Sequence, residues 1–330
     1  MAKDVVININ AVAPIGTIGF GCPLILVENA TKEIAYGEYM TLEEIVTAGF
    51  EASTDAYEAA QLMFMQTHAP KKIALVATTG TAEAWLAVDA NVKQAWRQLI
   101  VVATGDKATN VAGVMAVIET QKAYPKMYFA NVNLDDDTEF TVANIKRTVL
   151  CYYTPTENVP VPVAALVGEI AGLEVGSYTL NNLVVKGVDG YELSDSQILA
   201  LHEKGGITFV ESAGDVVASE GFAAGGEFVD ITDGNDYVKQ QLEYKTQKVF
   251  NTNLKVPYND IGIALLESAA NDVMKDAQNK GIVDSFTVQY LLRENTTEAD
   301  RIARHYAGGN ISYVMAGAIH TIEINCELTF

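Results

Sequence analysis

The chain has 330 residues, of which 49% are hydrophobic and 19% charged, a composition that suits a globular protein of two domains or one large one with insertions. Its 42 acidic residues outweigh 22 basic ones, for a net charge of -20, and a surface of that sign repels nucleic acid and anionic membranes. Cys22, Cys151 and Cys326 form neither a disulfide framework nor a CxxC metal spacing, and they suit folding in a reducing cytoplasm.

The N-terminal segment alternates, with Val5, Ile7 and Ile9 on one face of an expected strand. Asp4, Asn8 and Asn10 interrupt any signal-peptide core, and no run of about 18 apolar residues is present to span a membrane. Gly16, Gly19 and Gly21 follow as an expected flexible exit. Their order does not match GxGxxG, and they precede a strand where a dinucleotide loop would follow one. Neither GxxxxGK[ST] nor GxSxG occurs.

Residues 20–176 alternate short apolar runs with helical patterns. Strands are expected at Pro23 to Val27, Ile73 to Ala77, Leu99 to Ala103, Lys126 to Ala130 and Val149 to Tyr153. Helices are expected at Thr41 to Val46, Ser53 to Gln66 (capped by Ser53), Ala82 to Gln98, Asn110 to Ala123, Thr141 to Arg147 and Val163 to Ala171. This rhythm predicts a parallel sheet covered by helices. His68 reads as a helix-end cap. Asp135, Asp136, Asp137 and Glu139 lack EF-hand ligand spacing and read as a solvated acidic loop.

Residues 177–235 are glycine-rich and expected to be β-rich, with one helix at Ser194 to Glu203. The turn pairs there include Asp189-Gly190 and Gly205-Gly206. Helices follow at Asp236 to Phe250 and Asp260 to Lys280. The second is expected to be capped by Asp260 and closed by Gly281. Phe286 to Leu292 reads as a strand, and Asn295-x-x-Glu298 reads as a capping box for a helix through His305. His305 with Arg301 and Arg304 forms a possible polar cluster, but no nucleophile can be assigned.

The closing segment alternates without a fault. Ile322, Ile324, Cys326, Leu328 and Phe330 stand on one face, and polar residues on the other. As a strand, Ile319 to Phe330 would span roughly 40 Å. It must pair with something, either an edge of its own sheet or a sheet of a neighbouring molecule.

Three stretches then carry a resemblance. Over Gly19 to Val76, IGFGCPLILVEN leads through YGEYMTLEEI and AYEAAQLMFMQ to PKKIALV. The second is LVVKGVDGYELSDSQILALHEKGGITFV with FVDITDGNDYV. The third is KVPYNDIGIALLESAANDVMKDAQNKGIVDSFTV with DRIARHYAGGNISYVMAGAIHTIEINCELTF. In this order they resemble contractile tail sheath proteins, in particular the compact type of myophages and tailocin-like particles. Residues 80–175 carry little of the likeness.

The resemblance implies a non-enzymatic subunit without cofactor or metal, or another structural tail component with a sheath-like fold. The expected fold is an N-terminal helix-covered, mainly parallel α/β sheet domain (19–176), and a β-rich connector with a C-terminal α+β sheath domain (177–317). Strand arms flank these at 1–18 and 318–330. Val5, Ile7 and Ile9, and the five apolar residues of the closing segment, would pair with neighbouring subunits. Gly16, Gly19, Gly21, Gly308, Gly309 and Gly317 would act as hinges. Implied partners are further copies in a helix or stacked hexameric rings, a tail tube, a baseplate and a tail terminator, with no nucleic acid and no membrane insertion. Assembly would take place in a bacterial host cytoplasm, on the tail of a virion or phage-like particle. Contact with the tube would fall to Lys239, Lys245, Lys248, Lys275, Lys280, Arg301 or Arg304.

Overall fold

The computed structural model describes residues 20–52, 54–79, 84–103, 111–121, 124–134, 140–154, 161–324 and 326. The first layer is built from β1 (Leu24–Ala30), β2 (Ile34–Tyr39), β3 (Ile73–Thr79), β4 (Gln98–Ala103), β5 (Met127–Asn133), β6 (Thr148–Tyr153) and β7 (Gly206–Ile207). They form one seven-stranded sheet in the order β2-β3-β1-β4-β5-β6-β7. Every pairing is parallel except β2 on β3. Because β7 completes this sheet, the stretch after residue 176 is not separate from the α/β layer.

The strands are buried on both faces, as a helix-covered parallel sheet requires. Ile25, Val27, Ile73, Leu75, Ile100 and Phe129 face one core. Leu24, Leu26, Val76, Leu99, Val101 and Tyr128 face the other. The first core is closed by α1 (Leu42–Thr47), α2 (Asp55–Phe64) and α5 (Val163–Gly172), and the second by α3 (Ala84–Asn91) and α4 (Val111–Thr120). Helix α5 is buried along its length. It lies so close to α2 that a Cβ on Gly168 would stand 2.5 Å from the Met63 Cα. Its buried Glu169 accepts from the His68 backbone N–H (3.1 Å) and meets the His68 Nδ1 at 2.5 Å. His68 therefore ties α2's exit to α5 and does not cap α2.

Several local expectations shift. Thr54 caps α2 with its side chain, and Ser53 lies outside the described residues. Thr141 to Arg147 forms a turn and not a helix, with Asn144 left-handed (φ 66°): the Lys146 and Arg147 N–H groups donate to the Glu119 carboxylate, and the Arg147 carbonyl accepts from Tyr128 on β5. Asp135 to Asp137 and Glu139 lie outside the described residues. The stretch 177–235 holds α6 (Asp195–Glu203), with a Ser194–Gln197 capping box, and the hairpin of β8 (Phe209–Ser212) and β9 (Asp215–Ala218).

The second layer contains α7 (Val229–Thr252), α8 (Asp260–Asn279), β10 (Val283–Tyr290), α9 (Glu298–Ala303) and β11 (Gly309–Met315). A third core of Val238, Leu242, Ala270, Val273, Met274, Ala277, Ile282 and Val283 holds it together. Asn259, and not Asp260, caps α8, accepting from the Gly262 N–H. Gly281 follows the helix with φ 71°, as expected. Thr297, and not Asn295, caps α9, which ends at Ala303.

Helix α7 begins two turns earlier than its hydrophobic pattern suggests, because Asp233 and Asp236 face inward. The Arg97 side chain is fully buried between them. Its Nε donates to Asp233 (3.0 Å), and one terminal nitrogen reaches Asp236 (2.8 Å) and the Pro125 carbonyl (2.9 Å). Arg147 grips Asp236 with both terminal nitrogens, at 2.6 and 2.9 Å. The Tyr178 hydroxyl donates to Asp233 at 2.7 Å. Burial alone would raise the Asp236 carboxyl, but Arg97 and Arg147 overturn that and hold it below its ordinary value.

Beside this cluster, the buried Lys126 ammonium donates to the carbonyls of Gln94 (2.8 Å) and Trp96 (2.5 Å). It lies over the Trp96 ring at 4.4 Å. Burial, then Arg97, pushes its pKa down to about 7.

Replacing Arg97 by Ala leaves Asp233 buried without its cation and is expected to cost about 3–5 kcal/mol of unfolding free energy, measured by denaturant titration. Lys126 gives a pH signature. Between pH 7 and 10 the unfolded lysine keeps its proton while the folded one sheds it, so stability rises with pH. Against a Lys126→Met reference, the parent is expected to gain on the order of 2 kcal/mol over that window.

Candidate assembly surface

β10 and β11 pair antiparallel, with Thr287 opposite Ser312, Val288 opposite Ile311 and Tyr290 opposite Gly309. They form a sheet of two strands, and among the described residues neither outer edge carries a partner. Phe286, Val288, Tyr290, Ile311, Tyr313 and Met315 face the third core. Ser285, Thr287, Gln289, Asn310, Ser312 and Val314 face outward, exposed. A lone two-stranded ribbon is marginal in water, and this one persists because its apolar face lies on α7 and α8. The Tyr313 hydroxyl adds a 2.6 Å bond to Asn235 on α7.

The strands are joined by residues 291–308, which carry α9. Tyr306 stacks on Tyr290 (5.9 Å), packs against Tyr258 (6.0 Å) and donates to the Leu291 carbonyl (2.9 Å). Gly308 and Gly309 sit inside this packing. A Cβ on Gly308 would stand 2.8 Å from the Tyr306 hydroxyl oxygen, and one on Gly309 would stand 2.9 Å from the Tyr290 ring. Gly309 opens β11, and both glycines permit close approach.

Past β11, the Ala316 N–H donates to the Ile282 carbonyl (3.0 Å). Gly317 is exposed, with Ile231 Cδ1 3.9 Å from where its Cβ would lie. The segment then leaves the body. Ile319, Ile322 and Ile324 are 88%, 80% and 72% exposed, and Cys326 is exposed. Residues 316–324 and 326 take part in no strand of this chain. Leu328 and Phe330 lie outside the described residues, as do Val5, Ile7, Ile9, Gly16 and Gly19. Gly21 is left-handed (φ 84°). Phe20 packs on Tyr237 (6.3 Å) and lies over the Arg97 guanidinium (5.2 Å).

The cationic candidates divide. Lys245 and Lys248 share an exposed face of α7, and Lys275 is exposed on α8; among the described residues none of the three has an ion-pair partner. Lys239 lies around the helix from Lys245 and Lys248 and is half-buried. Lys280 bonds Glu174 and lies over the Tyr237 ring (5.0 Å); chiefly the Glu174 bond raises its pKa. It staples α8 to the first layer. Arg301 turns back onto Thr296 Oγ1 (3.2 Å) and the Arg293 carbonyl (3.3 Å). Arg304 is exposed and left-handed (φ 54°). His305 joins no polar cluster with them: its carbonyl accepts from the Tyr258 hydroxyl at 3.1 Å.

One hydroxyl–imidazole pair among the described residues is His202 Nε2 and Ser219 Oγ, at 3.0 Å. That hydroxyl already accepts from the Thr208 N–H (3.1 Å), and no carboxylate bonds the other ring nitrogen. Among the described residues, no three His, Cys, Asp or Glu side chains converge as a metal site.

Sequence reasoning missed β11. Its signal was present in Ile311, Tyr313 and Met315 at period 2, masked by reading the preceding glycines as a hinge. No protein-family model and no curated protein matches the chain. Solved structures do. A chain of the anti-feeding prophage helical sheath in its contracted state is 12% identical, with TM-score 0.68, covering 100% of this chain and 99% of that one. A chain of the six-fold symmetrised anti-feeding prophage baseplate is 15% identical, with TM-score 0.70 and the same coverage. The sheath complex of the PVC extracellular contractile injection system, also contracted, is 10% identical, with TM-score 0.69, covering 99% and 96%. Aligned from end to end with these structures, the chain has the fold of the contractile sheath proteins.

Proposed function

We propose that this chain is a structural subunit of a contractile sheath, joined to its neighbours by exchanged strands. The observation that carries this reading is the incomplete ribbon β10–β11. Among the described residues it has two unpaired edges and an apolar underside on α7 and α8, in a chain whose last segment alternates with matching period and exposes Ile319, Ile322, Ile324 and Cys326.

A strand laid along either edge satisfies the row of backbone donors and acceptors. With Ile322, Ile324, Cys326, Leu328 and Phe330 turned inward, the apolar face of the ribbon would continue across the added strand. A one-residue slip would turn those side chains to water, so the alternation sets the register. Val5, Ile7 and Ile9 offer the same pattern for the opposite edge.

In this reading the subunits surround a tail tube as a helix or as hexameric rings between a baseplate and a terminator. Contraction repacks whole subunits as rigid bodies while the exchanged ladders persist. The energy is stored when the extended state assembles, so no nucleotide or cofactor is required. The exposed, unpaired Lys245, Lys248 and Lys275, with Arg304, are the preferred tube contacts. Exposed charge pairs are weak and screened by salt, which suits a surface that must release the tube.

Deleting Thr321 to Phe330 is expected to leave the subunit folded and to abolish polymerisation, read by circular dichroism and negative-stain microscopy. Normal tubes from the truncated protein would refute the arm assignment. Ile324→Asp is expected to block assembly likewise, by burying an unpaired carboxylate at the added strand. Assembly equal to the parent would place that side chain away from any interface.

A further inference from the structure

The exposed closing segment is held at one point before it leaves the body. His320 is set into a socket made by three separate stretches. Its Nδ1 meets Glu220 Oε1 at 2.5 Å, and its Nε2 meets Thr179 Oγ1 at 3.2 Å. Its carbonyl accepts from Asn181 Nδ2 at 3.4 Å, and Phe228 packs against the ring edge-on at 4.7 Å. The His320 side chain is 12% exposed, between the isoleucines 319 and 322 at 88% and 80%.

The socket is close-built. A Cβ on Gly221 would lie 3.0 Å from Thr179 Oγ1, 3.1 Å from the Asn181 backbone nitrogen and 3.2 Å from His320 Cε1. The Gly221 N–H donates to the same Glu220 oxygen that His320 meets. An ionised carboxylate only accepts, so the His320 bond to Glu220 places a proton on Nδ1. The Thr179 hydroxyl, which can donate or accept, fills the other ring nitrogen, Nε2.

The strap at residues 176–181 that supplies Thr179 and Asn181 is itself anchored. Gly176 presses on α8's end, where a Cβ would stand 2.4 Å from Ile282 Cγ1. Tyr178 is bonded to Asp233, whose partner Arg97 carries the Phe20 ring above it. One short strap therefore holds the closing segment directly and is linked to Phe20, at the other end of the described chain, through Asp233 and Arg97.

We propose that His320 is the positioning residue of the C-terminal arm, fixing where the arm departs so that it is presented outward, away from its own ribbon. This rests on the donated-strand reading. Fixing the root beforehand removes conformational freedom that assembly would otherwise have to remove, so a clasped arm finds a neighbour's edge faster.

The test uses the full chain, dilute and unassembled, in a Cys326→Ser background with nitroxides on Ile322→Cys and Leu199→Cys. A narrow inter-label distance distribution is expected, at least doubling in width with His320→Ala and widening less with Thr179→Val, whose substitution leaves the ring in place. His320→Gln, which can keep one socket bond, is expected to recover part of the narrowing. In the unlabelled protein, His320→Ala is expected to slow assembly several-fold by light scattering. Unchanged widths in both His320→Ala and Thr179→Val overturn the clasp; should His320→Ala fail to fold, Thr179→Val alone decides. Widened distributions with an unchanged assembly rate overturn the positioning role. Failure of the donated-strand reading looks different: the chain lacking Thr321 to Phe330 would assemble normally, whatever the widths.

Discussion

The fold depends on a buried exchange of charge between its two layers. Arg97 comes from the start of β4, Arg147 precedes β6, and Asp233 and Asp236 lie one helical turn apart on α7. Each of these groups would be costly to bury alone; together each cation finds a carboxylate. Such a cluster contributes less by its net strength than by its intolerance of misplacement. Sliding α7 along the sheet would strand a desolvated charge, so the helix has one permitted position. That position carries α8, and with it the ribbon.

The ribbon is the place where the molecule is incomplete. The first layer buries both faces of its sheet, which ends at the edge strands β2 and β7. The second layer stops at two strands, with backbone groups open on both sides among the described residues. A free edge of this kind is a hazard for a monomer and an asset for a subunit. The chain also carries a net charge of -20, which opposes random association. That repulsion is screened beyond about 8 Å at physiological salt, whereas backbone ladders act at contact. In the proposed assembly, charge would discourage unspecific encounters and ladder geometry would select the right one.

A mechanical role asks for joints and for blocks. In the proposed assembly, hydrogen-bonded ladders between subunits would be joints that bend without parting. The charge cluster, the Lys280–Glu174 staple and the His68–Glu169 tie keep each block whole. The lysines that remain unpaired on α7 and α8 are those with no part in this internal fastening.

The sequence alone was sufficient for the helix-covered parallel sheet, because burial of strands on both faces leaves continuous apolar runs such as Leu24 to Val27 and Ile73 to Ala77. It also located α8, through its apolar stripe and closing glycine, and singled out the final segment by its period. It could not show that Asp233 and Asp236 lie inward, since a buried carboxylate reads the same as a solvated one until its cation, more than eighty residues away in the chain, is placed beside it. Nor could it reveal that Gly308, Gly309 and Gly221 are close-packing positions rather than swivels, or that His320 is gripped. A glycine's freedom and a histidine's polarity are local properties. Whether they are used for motion or for contact is decided by what the folded chain brings next to them.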